Sequence, residues 1–508
     1  MREKHDHARA HLAGALCVLV ACGGSKGTPV DGRGGDGGDP DATPTTDAAP
    51  PSAFCQPTPP PAGMTFYVAV GGSDAANGAE LTPWATIEHA VSTVPDGSVV
   101  LVKPGTYSGR IRMDRRFAQG IVVRSEMPYL ARLRHAGTVI TIYTGEGIAI
   151  EGFDIAHSGP GGALVVQIQD LIPGADAVSR ITLRNNVIHD SFDNDLLKIN
   201  NGAREIVVEG NVFYNQSGSD EHMDVNSVTN VTIRGNVFFN DFAGSGRVNG
   251  NDTSGFIVIK DSNGNSDGVI GSKQIVVERN VFMRWEGSTG SNFVLVGEDG
   301  TASYEAESVM IENNLMLGDS SNPMRAAFGV KGSRDITFRN NTVVGNLPSL
   351  AFAMRLNREG ANQPVANVRF YNNVWADPAG TMDDFSDTLP ADVASFTLAN
   401  NAYWNGGAAI PTDAAERVNV GDDPARVTAD PRLPALTGVT PPRWDPTAGR
   451  FADGSATVCG AFQRLVTTYA TPASGSSLVD AADGANAPAH DILGRGRAMA
   501  DIGAVELP

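Results

Sequence analysis

One pattern of hydrophobic and polar positions recurs through the middle of the chain, and it reads apolar-x-apolar-x-x-Asn-apolar. It begins as ITLRNNVI at 181–188 and ends as FTLANNAY at 396–403. Its period-two alternation and its many β-branched residues predict a strand before each asparagine. The asparagines stand 25 to 44 residues apart, at positions 186, 211, 236, 280, 314, 341, 373 and 401.

A repeat of this length indicates a solenoid rather than several separate domains. No convincing helical pattern lies between the repeats, so the return path from one strand to the next must itself consist of strands and turns. The sequence therefore predicts an all-β, single-stranded parallel β-helix with about 4.8 Å between equivalent residues of successive coils. We expect the asparagines to form a structural ladder at a sharp turn, because this residue type tolerates left-handed backbone angles.

The N-terminal residues have the features of an export signal. Basic residues precede an apolar run from Leu12 to Val20, and the sequence Leu-Val-Ala-Cys that ends at Cys22 resembles the bacterial lipobox. We therefore predict a lipoprotein signal peptide at 1–21 and a lipid on Cys22, which would anchor the protein in the bacterial cell envelope, at the outer membrane or the cell surface. An ordinary cleaved signal, which would leave the protein secreted, is the alternative.

The remainder divides into a tether and a single large domain. Residues 22–62 are rich in Gly, Asp, Pro and Thr, which predicts a disordered tether. The β-helix is predicted at 63–508, with closing or capping coils from about 406 to 508. In an oxidising compartment Cys55 and Cys459 could form a disulfide, and two free thiols are the alternative.

Composition and charge exclude some functions. Lys+Arg is 38 and Asp+Glu is 57, so the formal net charge is -19. This charge argues against nucleic acid as a partner, because phosphate contacts need a basic face. No run of 18 apolar residues exists, so a membrane would be reached only through the lipid anchor. Only 7 of the basic residues are lysines, which makes a lysine within a strand uncommon in this chain.

Two consecutive coils contain a cluster of acidic residues. The local sequences DNDLLKIN and SDEHMDVN are alike and can be aligned in two registers. One register places Asp195 beside Asp220. The other, shifted by one residue, places Asp195 beside Glu221 and sets Lys198 beside Asp224. Either register gathers the four carboxylates into a small patch, where they would repel each other unless a positive charge lies among them.

Calcium is the predicted ligand of this patch. Hard oxygen ligands suit Ca²⁺, which would be held between coils, and simple ion pairing with Lys198 is the alternative. One coil further, the strand FIVIK ends in Lys260, which is predicted to point outward on the same face as Asp224. A lysine beside a bound cation has a lowered pKa, so Lys260 could serve as a base.

The combination resembles a known enzyme family. An acidic residue lies one coil before an Asp-acid-x-x-Asp cluster, and a strand lysine follows about 36 residues later. This arrangement is similar to that of the family 9 polysaccharide lyases, which are right-handed parallel β-helix pectate lyases. The segments 66–107 and 501–506 also resemble the opening and closing segments of secreted right-handed β-helix proteins. The resemblance implies that Lys260 abstracts the C5 proton of a galacturonate. It implies that the calcium ligands are Asp195, Asp220, Glu221 and Asp224. Glu221 departs from the aspartate that is usual in the family.

The resemblance implies a calcium-dependent polysaccharide lyase that cleaves a uronate-containing, pectate-like glycan by β-elimination, and we expect it to be a monomer. The candidates for holding substrate carboxylates, with solvated turn residues as the alternative, are Lys198, Arg325, Lys331 and Arg355. Two other functions remain open. One is a β-helix glycoside hydrolase that uses Asp220 and Asp224 as acid and base. The other is a non-catalytic, lipid-anchored protein that binds glycans or acts as a structural surface protein.

Overall fold

The computed structural model describes residues 55, 63–171, 177–252, 255–287, 292–320, 322, 324–345 and 352–507. The predicted signal peptide, Cys22 and the predicted tether apart from Cys55 lie outside the described residues. Within these ranges, neither α-helix combines the length and the apolar character that crossing a membrane requires.

The first part of the chain contains, in order, β1 (Thr65–Val68), α1 (Ile87–Thr93), β2 (Val99–Val102), β3 (Gly105–Ser108), β4 (Ile111–Arg112), β5 (Arg116–Ser125), β6 (Ala131–His135), β7 (Ile140–Ile142), β8 (Glu146–Glu151), β9 (Asp154–His157), β10 (Val166–Gln169), β11 (Ser179–Arg184), β12 (Val187–His189), β13 (Leu197–Asn200), β14 (Arg204–Glu209), β15 (Val212–Tyr214), β16 (Met223–Asn226), β17 (Thr229–Arg234) and β18 (Val237–Phe239). The second part contains β19 (Gly255–Lys260), β20 (Ser272–Glu278), β21 (Val281–Phe282), β22 (Asn292–Val296), β23 (Ala306–Glu312), β24 (Leu315–Gly318), β25 (Phe328–Lys331), β26 (Arg334–Arg339), β27 (Thr342–Gly345), β28 (Met354–Asn357), β29 (Ala366–Tyr371), β30 (Val374–Asp377), β31 (Ser386–Asp387), β32 (Phe396–Ala399), β33 (Ala402–Asn405), a 3-10 helix (Val420–Asp422), β34 (Trp444–Asp445), β35 (Arg450–Phe451) and α2 (Val458–Tyr469).

Three long parallel sheets run along the stack, and each full coil adds one strand to each of them. The ladder sheet has the order β1-β2-β5-β8-β11-β14-β17-β20-β23-β26-β29-β32. The lysine sheet has the order β31-β28-β25-β22-β19-β16-β13-β10-β7-β4, and the flank sheet has the order β3-β6-β9-β12-β15-β18-β21-β24-β27-β30-β33. The remaining pair, β34 and β35, is antiparallel. The predicted right-handed parallel β-helix is therefore confirmed.

The predicted asparagine ladder lies at the turn between the ladder sheet and the flank sheet. From Asn186 to Asn401, each buried asparagine donates its backbone N–H and its Nδ2 to the Oδ1 atom of the next, at 2.9–3.0 Å. Asp423 accepts the last pair of these bonds and ends the ladder. The left-handed backbone angle belongs to the residue before each ladder position, such as Asn185 with φ 53°, and not to the ladder asparagine as the sequence had suggested.

The winding of coils ends near Val427, and the residues after it follow a different path. Val427 still pairs in parallel with Ala402, so the winding continues to that point. Beyond it the chain runs back along the outside of the stack. Side chains of the turn residues with left-handed backbone angles donate hydrogen bonds to carbonyl oxygens of this part of the chain. Asn400 donates to Ala481 at 2.8 Å, and Arg279, several coils away, donates to Ile492 at 3.1 Å. Residues 428–507 thus form a returning segment along the stack, and the closing or capping coils predicted from about 406 to 508 stay a prediction.

The returning segment is needed because the flank sheet is apolar on both faces. Its outward residues form a second hydrophobic core with the segment, in which α2 contributes Val458, Phe462, Leu465 and Val466. Burial of such side chains stabilises a fold by about 1.5–3 kcal/mol each. Cys459 of α2 forms a disulfide with Cys55, across a Cα–Cα distance of 5.3 Å.

We predict that Asn280→Ala lowers the free energy of unfolding by about 3 kcal/mol or more, because buried groups left without a partner cost about 1–3 kcal/mol each. The Asn280 side chain accepts two bonds from Asn236 and donates to Asn314 and Ile233, all at 2.9–3.0 Å. Urea unfolding measures the effect. The exposed Asn265→Ala is the control, with an expected change below about 0.5 kcal/mol. Equal effects of the two substitutions would contradict a stabilising ladder.

Candidate functional site

The predicted cluster lies on, or directly before, three neighbouring strands of the lysine sheet. Lys198, Asp224 and Lys260 lie on β13, β16 and β19, and Asp195, Asp220 and Glu221 lie in the turns before β13 and β16. Their register pairs Leu197 with Met223 and Lys198 with Asp224, so the shifted alignment is the one that forms. The reason is the core, because this alignment keeps Leu197 and Met223 fully buried in successive coils. Lys260 pairs with Asn226, two residues beyond Asp224. Since side chains alternate along a strand, Lys260 and Asp224 project from the same face.

Lys198 lies among the carboxylates of the two coils. Its Nζ is 2.5 Å from Asp224 Oδ2 and 3.6 Å from Asp195 Oδ2. Burial alone would favour the neutral amine, but these two carboxylates outweigh it and raise the pKa of Lys198 above its usual value. Lys198 therefore supplies a positive charge within the cluster.

Lys260 contacts carboxylates from two directions. Its Nζ lies 2.7 Å from Glu298 Oε2, 3.6 Å from Asp299 Oδ2 and 3.9 Å from Asp224 Oδ2. Burial opposes the charged form, yet Asp224, Glu221 and the two loop carboxylates raise the pKa of Lys260 well above its usual value. This differs from the lowered pKa expected for a base, because the chain itself surrounds the amine with negative charge.

Glu298 and Asp299 are site residues that the sequence reasoning missed. They follow β22, one coil beyond Lys260. The buried Glu305 holds this loop, because its carboxylate accepts the backbone N–H groups of Glu298, Asp299 and Gly300 at 2.7–2.9 Å. The signal available in the sequence was the acidic pair that follows the apolar run FVLV after one glycine.

Three carboxylates converge closely enough to share a cation. One oxygen from each of Asp195, Glu221 and Asp224 lies within 4.8 Å of the others, and all three residues are buried. Asp195 Oδ1 accepts the backbone N–H of Glu221 at 2.8 Å. Asp195 Oδ2 and Asp224 Oδ1 are buried and accept no hydrogen bond from the described residues. Orphaned carboxylate oxygens of this kind fit a hard cation such as Ca²⁺.

The pKa values of the carboxylates agree with a site in which negative charge exceeds positive charge. Burial, with Asp224 and Asp220 adding to it, outweighs Lys198 and raises the pKa of Asp195 to about 7. Burial and the nearby Glu298 raise the pKa of Glu221 well above its usual value. Asp220 is only partly buried and is not part of the close triad of described residues, although burial raises its pKa too.

The other predicted substrate-binding residues lie further along the same sheet. Lys331 ends β25, two strands beyond Lys260, and its Nζ contacts Glu359 at 2.5 Å. Arg355 in β28 pairs with Asp387 at 2.7 Å. Arg325 precedes β25, and burial together with Arg355 lowers its pKa. These residues extend the polar face but do not join the triad.

Two buried histidines, His222 beside Glu221 and His189 in the flank sheet, have structural roles. His222 contacts the carbonyl oxygen of Phe239 at 3.1 Å, and burial lowers its pKa to about 3. His189 bridges Asp154 and Asp190, at 2.7 and 2.8 Å. Burial disfavours its charged form, but the two carboxylates outweigh burial and raise the pKa of His189.

The fold and the site define a right-handed parallel β-helix protein with a buried carboxylate–lysine cluster. No family model matches the chain, and no curated protein matches it either. Among solved structures, it is similar to pectate lyase Pel9A, with 14% identity, a TM-score of 0.48, and 87% of this chain and 96% of that chain covered. It is also similar to XylC in complex with xylose, with 12% identity, a TM-score of 0.46, and 88% and 98% covered.

A third similar structure is an alginate lyase from Paenibacillus sp. str. FPU-7, with 16% identity, a TM-score of 0.41, and 67% of this chain and 97% of that chain covered. The structural neighbours thus include several β-helix polysaccharide lyases. Similarity at these identities concerns the fold alone, so any conclusion about function depends on the geometry of the site.

We predict that His189 stabilises the fold in a pH-dependent way. Because its folded pKa is raised, the stabilisation is complete below the unfolded pKa of about 6.5 and is lost as the pH rises through the folded pKa. His189→Phe retains the stacking on Tyr214, whose ring lies 4.7 Å away. The difference in unfolding free energy between wild type and variant should therefore be largest in mildly acidic buffer and shrink in alkaline buffer. A difference that does not vary with pH would contradict this assignment.

Proposed function

We propose that this protein is a polysaccharide lyase that cleaves a uronate-containing, pectate-like glycan by β-elimination, with Lys260 as the base. The single observation that supports it best is that a half-buried lysine and carboxylates with orphaned oxygens lie on the same face of adjacent coils. Asp195, Glu221 and Asp224 would hold Ca²⁺, with Asp220 at the edge of the site. When bound, the cation would stabilise the negative charge that develops on the substrate carboxylate.

The proton on C5 of a uronate lies next to the carboxylate and is weakly acidic. Lys260 Nζ would take this proton, the released electron pair would form the C4=C5 double bond, and the C4–O bond would break with departure of the glycosidic oxygen. The product would carry an unsaturated uronide at its new end. Arginine could not replace Lys260 in this role, because a guanidinium stays protonated.

Lys260 must be a neutral amine before it accepts a proton. The carboxylates that face it favour the ammonium, and Glu298 lies within hydrogen-bond distance of its Nζ at 2.7 Å. Compensation of these charges by a divalent cation would lower the pKa of Lys260 toward the working range of a base. The proposed calcium dependence therefore follows from the charges around Lys260 as well as from the needs of the substrate.

We predict that Lys260→Met lowers the rate of unsaturated product formation by about 10²–10⁴-fold, as expected for loss of a general base. Lys273→Met, at an exposed position of the ladder sheet, is the matched control and should keep full activity. Ultraviolet absorbance of the unsaturated product on polyuronides measures the rate, and a chelator should abolish it. New reducing ends without absorbance would instead favour a hydrolase, and no cleavage by the folded protein would favour a glycan-binding protein.

The location and the partner belong to the same proposal. We propose a monomer held at the bacterial cell envelope by lipid on Cys22, with an acidic polysaccharide as its substrate. In a bacterial host, mass spectrometry of the N-terminal peptide should show diacyl- or triacylglyceryl cysteine at position 22 after removal of 1–21. Cys22→Ser should lose the lipid and the association with membranes. An unmodified cysteine in the wild-type peptide would contradict the anchor.

A further inference from the structure

Lys198 is an unusual neighbour for a cation site because it already supplies a positive charge there. Its Nζ contacts Asp224 Oδ2 at 2.5 Å and faces Asp195 Oδ2 at 3.6 Å. Those two residues also contribute oxygens to the close carboxylate triad. A calcium ion bound by both aspartates would sit about 2.3–2.6 Å from their oxygens. The ammonium and the ion would therefore compete for the same small volume.

The register of the lysine sheet explains why the ammonium reaches this place. Lys198 pairs with Asp224 on one side and with Gln167 on the other. The glutamine amide is itself engaged, since it accepts from Tyr143 at 2.9 Å and donates to Gln169 at 2.7 Å. The acidic side is thus the favourable one for the ammonium when no other cation compensates Asp224.

The lysine can also leave. Its side chain keeps 25% of its surface exposed, whereas the side chains of Asp195 and Asp224 have 0% and 1%. A four-carbon stem with rotatable bonds can swing toward solvent, but the aspartates are fixed by their buried strands. A calcium ion can therefore displace the ammonium, but the displacement reduces the net free energy of calcium binding.

We propose that Lys198 is a tethered competitor of the cation, which compensates the carboxylates when calcium is scarce and lowers the affinity of the site for calcium. This inference rests on the proposed cation site and adds its regulation. Because each calcium ion must break the contact between Lys198 and Asp224, the site binds calcium more weakly than the same carboxylates would without the lysine. The protein stays folded without the ion, since the ammonium takes its place.

The test is a calcium titration by calorimetry on the full-length, metal-free protein at constant ionic strength. Lys198→Met keeps the length of the side chain and removes its charge, and it should bind calcium at least tenfold more tightly than the wild type. Lys198→Arg keeps the charge and should retain weak binding. Lys273→Met should bind like the wild type, because it removes a lysine that lies on the ladder sheet. Equal or weaker binding by Lys198→Met, or no binding by either protein, would overturn the inference.

Thermal unfolding supplies a second measurement, and it distinguishes a competing lysine from a merely structural one. In chelator, Lys198→Met should melt below the wild type, because the carboxylates lose their compensating charge. In saturating calcium the difference should disappear or reverse. A deficit of the same size in both conditions would overturn the inference. If the variant folds only with calcium, release of the ion to a competing chelator dye gives its affinity.

These binding experiments separate the inference from the proposed function. Turnover of a polyuronide is not needed to measure calcium affinity or melting. If Lys198→Met gains affinity but no uronide is cleaved by the wild type, the lyase assignment fails and the competition stands. If cleavage requires calcium and Lys198→Met shows no gain, the competition fails and the lyase assignment stands.

Discussion

Stacking of coils at about 4.8 Å is the constraint on which this structure depends, because it brings side chains at equivalent positions into direct contact. Amides gain from that contact, and the ladder from Asn186 to Asn401 satisfies buried groups that would otherwise cost energy. Apolar side chains gain too, and the rings of Phe213, Phe238 and Phe282 stack at 4.9–5.0 Å in the core. Carboxylates repel one another at the same spacing, so an acidic position repeated in adjacent coils needs compensation.

The candidate site shows how incomplete that compensation is. Two lysines lie among six carboxylates, which leaves an excess of negative charge. Burial, with the neighbouring carboxylates adding to it, raises the pKa values of Asp195 and Glu221. In a protein of formal net charge -19, the same excess would repel an anionic glycan. The proposed cation at the triad would relieve both problems, since it would neutralise the cluster and offer a contact for the proposed uronate substrate. The half-buried lysines and the orphaned oxygens belong to one electrostatic arrangement.

The returning segment solves a different problem of the same architecture. A parallel β-helix leaves three outer faces, and here the outer face of the flank sheet is apolar. The segment covers this face and also accepts hydrogen bonds from the left-handed turn residues beside the ladder. It leaves the outer face of the lysine sheet to the site. The disulfide between Cys55 and Cys459 joins the end of the predicted tether to this cover, away from the strands that carry Lys198 and Lys260.

Local patterns determined much of this protein. Alternation, the repeated asparagine and the outward position of Lys260 depend on the period of a strand and on neighbours within one coil, and these are visible in the sequence. Contacts between coils were harder to predict from the sequence. The sequence allowed two registers for the acidic cluster, and the buried pairing of Leu197 with Met223 selected one of them. Glu298 and Asp299 reach Lys260 through a loop whose path is held by the distant Glu305.

The same distinction applies to the chain's end and to the charge state of the site. The apolar residues after 430 were visible, but whether they close the stack or fold back over it depends on which face of the finished β-helix remains uncovered. The basicity of Lys260 likewise depends on every carboxylate that the winding brings near it. The sequence by itself determined the coil, its ladder and the residue types of the site. Tertiary structure decided the register, the cover and the balance of charge, because these arise only between residues that the winding makes neighbours.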